Sequence, residues 1–203
     1  MMRRAFAAMY DRMNKGTEAA GIRAERHELL ARAEGATIEI GAGTGLNLEH
    51  YPASVTRLVL SEPDAHMRRR LAGRAETVRP AAELIDAGVG GLPFPDATFD
   101  TAVVTWVLCS VPDQRLALRE IARVLKPDGH LLFLEHVRSD DPGVAKWQDR
   151  IRPLYHRLAG CNPNRETLAA IEASGFAVES VRHGHVPKAP RFERPMIVGT
   201  ARR

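Results

Sequence analysis

Thr37-Ile-Glu-Ile-Gly-Ala-Gly-Thr-Gly-Leu46 reads as a short apolar strand running into a turn of alternating glycines. Ile38 and Ile40 supply the strand. Gly41, Gly43 and Gly45 supply a turn that no side chain crowds, so its N–H groups can approach a ligand closely and its residues can take positive φ. Glu39 stands two residues before the first glycine. The spacing Glu-x-Gly-x-Gly-x-Gly departs from the Gly-x-Gly-x-x-Gly of a dinucleotide-binding turn. A helix is expected to start near Thr44 and to cover 45–51.

Working outward, 57–61 reads as a second strand ending in Glu62-Pro63-Asp64. Glu62 falls about twenty residues past the glycine turn, where an acidic side chain can accept from both hydroxyls of a ribose. The plainer reading is a cap on the next helix, with Pro63 at the first helical position, but a glutamate at a strand end after such a glycine loop favours the ribose role. Further strands are expected at 83–86, 101–107, 130–137, 177–182 and 196–201, after a first strand at 36–40. Segment 101–107 is apolar nearly throughout, as a buried parallel strand is. Lys126-Pro-Asp-Gly129 is a turn. Pro187, Pro190 and Pro195 mark a long connection between the last two strands, which suits an antiparallel hairpin at one sheet edge. The fold class is α/β: a mostly parallel, seven-stranded sheet with helices on both faces.

The helices are read from period and caps. Residues 3–14 place Phe6, Met9, Tyr10 and Met13 on one side, and Asn14-Lys15-Gly16 breaks the helix. Thr17 caps a second helix that runs to about residue 34, with Ile22, Leu29 and Leu30 at apolar positions. These helices either pack on the core or fold, with Tyr10, as a lid over the ligand. Helix 113–125 takes Asp113 as cap and turns Leu116, Ile121, Val124 and Leu125 inward. Helix 144–158 should be kinked or split by Pro153. A last helix runs from 164 or 165 to 173.

The chain has 203 residues, 44% hydrophobic and 27% charged, which fits one domain with a sizeable core. Its formal net charge is +4, in scattered short runs such as Arg68-Arg-Arg70. This suits a solvated surface, and no nucleic-acid partner is expected; attraction to acidic substrates or anionic membrane surfaces stays open. Cys109 and Cys161 form no CxxC pair and have no metal ligand at zinc spacing, which predicts a reduced, cytoplasmic protein without a metal. His183 and His185 likewise find no third ligand. No signal peptide is read at the N-terminus, and the longest apolar run, 102–109, is too short to span a bilayer.

Taken together, Glu39-to-Leu46, Glu62-Pro63, Leu92-Pro-Phe-Pro-Asp96, Phe99-Asp100 and Val124-Leu-Lys-Pro-Asp-Gly129 resemble the type 11 class I methyltransferases that use S-adenosylmethionine (SAM). The resemblance covers nearly all of 36–203. Val107-Leu-Cys-Ser-Val111, Glu135-His-Val137, Trp147-Gln148, Gly160-Cys-Asn162 and Arg165-Glu166 are similar, more narrowly, to the methyltransferase-like thiol methyltransferases. The resemblance implies a Rossmann-like fold and a single domain, with a helical arm or lid at 1–35, a cofactor core at 36–137 and an acceptor side at 138–203. It implies SAM as cofactor and S-adenosylhomocysteine as product. Glu39, Gly41, Ala42, Gly43 and Gly45 would shape the loop beside the methionine part. Glu62 would hold the ribose, with Pro63 against the adenine and Gly88 and Val89 along its edge. An acidic residue often stands at the Gly88 place, so the adenine amino group would rely here on a backbone carbonyl or Asp86. Thr105, Trp106 and Cys109 would lie near the sulfonium or acceptor.

Methyl transfer from a sulfonium needs no acid, because the leaving group is a neutral thioether. Positioning and desolvation then carry much of the work. A thiol acceptor reacts as its thiolate and needs a base or a positive environment. His136, at the end of the fifth strand, is the candidate base, or else a strand-end histidine bonded to a backbone carbonyl. Tyr10, Trp106 and His136 form the expected catalytic set. Tyr155, His156, Cys161 and Asn162 are expected to line the acceptor pocket, with Trp147 and Tyr155 serving in packing. The expected partner is a small, lipophilic acceptor methylated through sulfur, or through oxygen, nitrogen or carbon in the manner of quinone and natural-product enzymes. The protein is expected to be a monomer or homodimer. A nucleic-acid methyltransferase would carry Asn/Asp/Ser-Pro-Pro-aromatic where this chain has Leu-Cys-Ser-Val-Pro112. A SAM-binding regulator without catalysis is the remaining alternative.

Overall fold

The computed structural model describes the chain apart from Met1, Thr77, Arg79 and Pro80, together with the side chains of residues 2–6 and 8, so the expected place of Phe6 lies outside the described residues. Strands β1 (Gly35–Ile40), β2 (Val55–Ser61), β3 (Ala82–Ile85), β4 (Phe99–Thr105), β5 (Leu125–His136), β6 (Ala177–His185) and β7 (Pro195–Arg202) form one sheet in the order β3-β2-β1-β4-β5-β7-β6. The first five pair in parallel, and β7 runs antiparallel to both β5 and β6. The expected C-terminal hairpin is therefore present, with its second strand inserted beside β5.

Side chains alternate between the two faces of the sheet. Ile38, Ile40, Val59, Ala102, Val104, Leu131 and Phe133 fill the core on one face. Leu58, Leu60, Val103, Leu132 and Leu134 fill it on the other. Register sets Ile40 beside Ser61 and Val104, and Thr105 beside Leu134. The carboxyl ends of the central strands thus converge on one edge, where open α/β sheets bind ligands.

Helices cover both faces: α1 (Met2–Thr17), α2 (Arg23–Leu30), α3 (Ala65–Ala75), α4 (Gln114–Val124), α5 (Pro142–Ala159) and α6 (Thr167–Ala173). Several expected boundaries move. The N-terminal helix does not break at Gly16. It continues through Thr17 into a wide π-turn, Glu18–Ile22, and bends at Gly21, whose φ of 144° only glycine adopts readily. Thr17 donates back to the Asn14 carbonyl at 2.8 Å and so does not cap a new helix. The helix expected over 45–51 is reduced to one 3-10 turn, Leu48–His50. Pro52 pushes Tyr51 into extended backbone, with φ −69° and ψ 128°, leaving too few residues for an α-helical nucleus.

On α4 the buried stripe is Ala117, Leu118, Ile121 and Val124, while Leu116 points to solvent, 53% exposed. It stands about 100° round the helix from Ala117, off the stripe. Asp113 caps α4 as expected, accepting from the N–H groups of Arg115 and Leu116. Helix α5 runs unbroken through Pro153. Pro153 and Asp149, whose carbonyl loses its partner there, are both exposed, so water can serve that carbonyl. Residues 126–129 form an outpouching inside β5, with Asp128 at φ 63°, between the pairings of Phe99 with Leu125 and Thr101 with His130. Among the described residues, no helix is long and apolar enough to cross a membrane.

Candidate active site

The glycine turn carries positive φ at all three expected positions: 65° at Gly41, 58° at Gly43 and 86° at Gly45. A Cβ at Gly41 would lie 2.8 Å from Val107 Cγ2, and one at Gly45 would lie 2.7 Å from Leu48 Cδ1. Only glycine keeps this turn against the end of β4. Glu62, buried at the end of β2, accepts from the Gly43 N–H at 2.8 Å and the Asp64 N–H at 2.7 Å. Asp64, not Glu62, caps α3, through the His66 and Met67 N–H groups. The Glu62 carboxylate therefore faces the glycine turn. Burial raises its pKa, and the two backbone donors only partly offset this.

Pro63 is exposed at the mouth, and a Cβ on Gly88 would be 3.9 Å from it. Val89 packs its side chain against the core. Asp86 is held by a two-point ion pair from Arg68, at 2.9 and 2.6 Å.

Beneath the turn lies a buried polar floor. Glu39 accepts from Asn47 Nδ2 at 2.9 Å and from the Tyr51 hydroxyl at 2.7 Å. Arg26 Nη1 donates to Asn47 Oδ1 at 2.7 Å and to Thr105 Oγ1 at 3.1 Å, while its Nε donates to Glu18 at 3.1 Å. Burial pushes the Glu39 carboxyl up to about 7, against the lowering effect of the Tyr51 and Asn47 bonds. A guanidinium and a carboxyl group, bridged by Asn47, thus share one floor under a glycine cradle. Tyr10, Arg26, Glu39, Gly43, Asn47 and Thr105 line a small cleft that opens to solvent.

The N-terminal arm is tied to the rim of this cleft. Asp11 accepts from Thr44 Oγ1 at 2.5 Å and from Arg74 Nη2 at 2.6 Å, and Arg74 also donates to the Thr44 carbonyl. Tyr10 is half-buried beside the glycine turn, and desolvation pushes its phenol up to about 12. A wider recess between α2 and β6–β7, lined by the mutually paired Glu28 and Arg182, lies away from this edge.

The ends of β4 and β5 build the other side. Trp106 adopts φ 60°, rare for a bulky residue, and stacks on His136 with ring centroids 4.0 Å apart. Glu135, fully buried, accepts from the N–H groups of Val107, Leu108 and Cys109 at 2.8, 2.8 and 3.1 Å and so fixes the turn after β4. His136 meets side chains: Cys109 Sγ at 4.0 Å and Cys161 Sγ at 3.8 Å from Nδ1, with Glu193 4.0 Å from Nε2. Burial works against its protonation, but the cysteine and glutamate contacts outweigh burial and raise its pKa. The Cys161 thiol is pulled down by its bond to Cys109 and then by His136. Cys109 moves the other way, driven by the same bond and by burial.

Asn162 ties this cluster together, donating to the Cys109 carbonyl from both its backbone N–H and its Nδ2. Gln148, fully buried, reaches the carbonyls of Val137, Pro163 and Phe192. Trp147 and Tyr155 pack edge-on against Phe192, and Tyr155 donates to Glu193. His156, His183 and His185 are exposed and take no part.

Every expected cofactor residue lies along this one edge, from Glu39 through Glu62, Pro63, Gly88 and Val89 to Thr105 and Trp106. Arg26, Asn47, Tyr51 and Glu193 were not singled out by sequence, and Glu135 entered only within Glu135-His-Val137. They are polar residues scattered over the chain, and only Glu135, inside the apolar run of β5, carried a visible signal.

Residues 38–133 match a family model described as a methyltransferase domain. Over 169 residues the chain is 34% identical to the thiol S-methyltransferase TMT1A of Homo sapiens, covering 81% of this chain and 69% of that protein. It is 30% identical over 169 residues to a demethylmenaquinone methyltransferase of Clavibacter sepedonicus, covering 72% and 66%. Among solved structures, a SAM-dependent methyltransferase of Thermotoga maritima, described as a possible histamine N-methyltransferase, superposes with a TM-score of 0.72 at 19% identity, covering 99% of this chain and 97% of that one.

Proposed function

This chain belongs to the SAM-dependent methyltransferases, and we propose that its acceptor is a small, lipophilic thiol. SAM, when bound, supplies a methyl group on a sulfonium whose departure needs no acid.

The residues present suit that cofactor. Gly41, Ala42, Gly43 and Gly45 leave backbone room where a side chain would strike Val107 or Leu48. Glu39 and Arg26 offer opposite charges to a zwitterionic amino-acid end. Glu62, already accepting two backbone N–H bonds, would accept from ribose hydroxyls instead. Pro63, Gly88 and Val89 would border the adenine, and Thr105 and Trp106 the sulfonium. In this reading residues 1–35 act as the lid, with Tyr10 closing the mouth; 36–137 hold the donor; and 138–203 shape the acceptor side. The protein would work as a cytoplasmic monomer or homodimer.

One observation carries the thiol: a buried imidazole, His136, stacked on Trp106 with Glu193 behind its Nε2. An ordinary thiol titrates near 8.5 and an ordinary imidazole near 6.5, so proton transfer between them is uphill by about two pKa units, a gap that the raised pKa of His136 narrows. His136 would take the thiol proton, and Glu193 would steady the resulting imidazolium. Exclusion of water by Trp106 and Tyr10 would leave the thiolate weakly solvated and reactive. The human relatives named as thiol S-methyltransferases support this acceptor class. The relation to a demethylmenaquinone methyltransferase favours a second reading, methylation of a quinol carbon.

The test is a panel of small thiols, phenols, quinols and amines incubated with SAM, with products read by mass spectrometry. Methylated thiols are the expected result, and activity confined to the other classes rejects the thiol. Calorimetry with Glu62→Ala is expected to show at least tenfold weaker binding of both SAM and S-adenosylhomocysteine. Unchanged affinity would remove Glu62 from the donor site.

A further inference from the structure

Cys109, His136 and Cys161 come from the end of β4, the end of β5 and the loop after α5. Their ligand atoms lie within 4.8 Å of one another, and each residue is at least nine-tenths buried. We propose that these three side chains form a binding site for one soft, thiophilic cation, Zn(II) in the first instance.

The geometry is nearly made. Zn–S bonds of about 2.3 Å and Zn–N bonds of about 2.0 Å, set tetrahedrally, hold sulfur and nitrogen about 3.5 Å apart. The two sulfurs stand 3.8 and 4.0 Å from Nδ1, so each nitrogen–sulfur distance closes with a shift of a few tenths of an ångström. Bonds that do not involve sulfur fix the frame: Cys109 N–H donates to Glu135, and its carbonyl accepts from Asn162 N and Nδ2 at 2.8 and 3.1 Å. Behind the imidazole, Glu193 faces Nε2 and is itself held by the Tyr155 hydroxyl. A carboxylate in that position selects the tautomer with Nε2 protonated and Nδ1 free to bind a metal. Two thiolates balance the charge of a divalent ion, and their protons leave to solvent on binding. Three protein ligands leave a fourth position for water or an exogenous thiol.

Binding does not depend on the acceptor class. Its consequence for catalysis does rest on the function proposed above: a cation on Nδ1 removes the lone pair with which His136 would take a proton.

The experiment uses the reduced chain of 203 residues without SAM or acceptor. Titration with Co(II) under anaerobic conditions is expected to give a thiolate-to-cobalt charge-transfer band that saturates at one equivalent and is displaced by Zn(II). The band is expected to vanish in Cys109→Ser and in Cys161→Ala. In the wild-type chain, Zn(II) is expected to slow alkylation of both cysteines by iodoacetamide at least tenfold, a readout that stands even where a variant folds poorly. Absence of both the band and the protection overturns the site, as does a disulfide between the two cysteines in the reduced preparation. Loss of methyl transfer on saturation with Zn(II) supports His136 as the base. Stoichiometric binding with undiminished transfer overturns that role and leaves the cation site standing.

Discussion

Replacing Glu135 with alanine takes away the carboxylate that accepts from three consecutive backbone donors, Val107, Leu108 and Cys109. Glu135 is fully buried, so the freed N–H groups face a cavity that only entering water can serve. A buried donor left without a partner costs about 1–3 kcal/mol. Three of them, partly relieved by water in the space of the lost side chain, come to about 4 kcal/mol. That is a large share of the 5–15 kcal/mol that holds an ordinary domain together, and about 10 °C in Tm for a chain of this size. Glu135→Gln is the graded control. Its oxygen can keep the Val107 and Leu108 bonds, while its amide turns a donor toward the Cys109 N–H, so it should lose about half as much. Urea unfolding followed by circular dichroism, with an unchanged m-value, reads the stability. Calorimetry with S-adenosylhomocysteine reads the site, which should weaken because Val107 touches Gly41. A loss below about 1 kcal/mol in Glu135→Ala, with full ligand affinity, would refute the claim that this carboxylate fixes the turn.

Other consequences can be checked with similar means. Gly41→Ala forces a Cβ to 2.8 Å from Val107 at positive φ, and should cost about 1–3 kcal/mol together with most of the ligand affinity, read by thermal shift with and without S-adenosylhomocysteine. Asp11→Ala frees the arm from Thr44 and Arg74; hydrogen exchange should rise over 9–17 and the KM for SAM should increase, with global stability moving by less than about 1 kcal/mol. Glu39 has its folded pKa raised to about 7, so the stability it lends is present below its unfolded value of 4.5 and is lost as pH rises through 7. Glu39→Gln should therefore gain on the wild-type chain, by an amount on the order of 3 kcal/mol, between pH 4.5 and pH 8, while binding SAM more weakly. A flat difference between the two unfolding curves across that range would show that burial does not strain this carboxylate.

The strand–turn pattern around Gly41 was legible because it is local: apolar alternation, three glycines and an acidic residue at fixed offsets. Glu62 was legible for the same reason, and Asp64 settles its role in the helix start only because both side chains can be followed in space. The polar floor was not legible. Asn47 and Tyr51 meet Glu39 from a seven-residue stretch expected to be helical, and Arg26 joins from α2 by way of Asn47. Tertiary satisfaction of a buried carboxylate overrode that local preference. Leu116 and Pro153 misled in the opposite sense, since an apolar residue can face water and a proline can sit in an exposed helix at small cost. The cysteines were weighed by sequence spacing, whereas Cys109 and Cys161, fifty-two positions apart, are brought together by the two bonds from Asn162 to the Cys109 carbonyl.

The insertion of β7 between β5 and β6 bears on the order in which the molecule comes into being. Glu135 and His136 pair with Ile197 and Met196, and β7 is packed so tightly that a Cβ on Gly199 would lie 2.6 Å from Phe133. During synthesis, strands β1 to β5 can pair before the last strands emerge, because their parallel ladder takes no backbone bond from downstream. Until 195–202 have emerged, however, β5 is an open edge and its last two residues lack a backbone neighbour. The parallel half of the sheet can thus form on the nascent chain while the edge that carries Glu135 and His136 waits for its last partner.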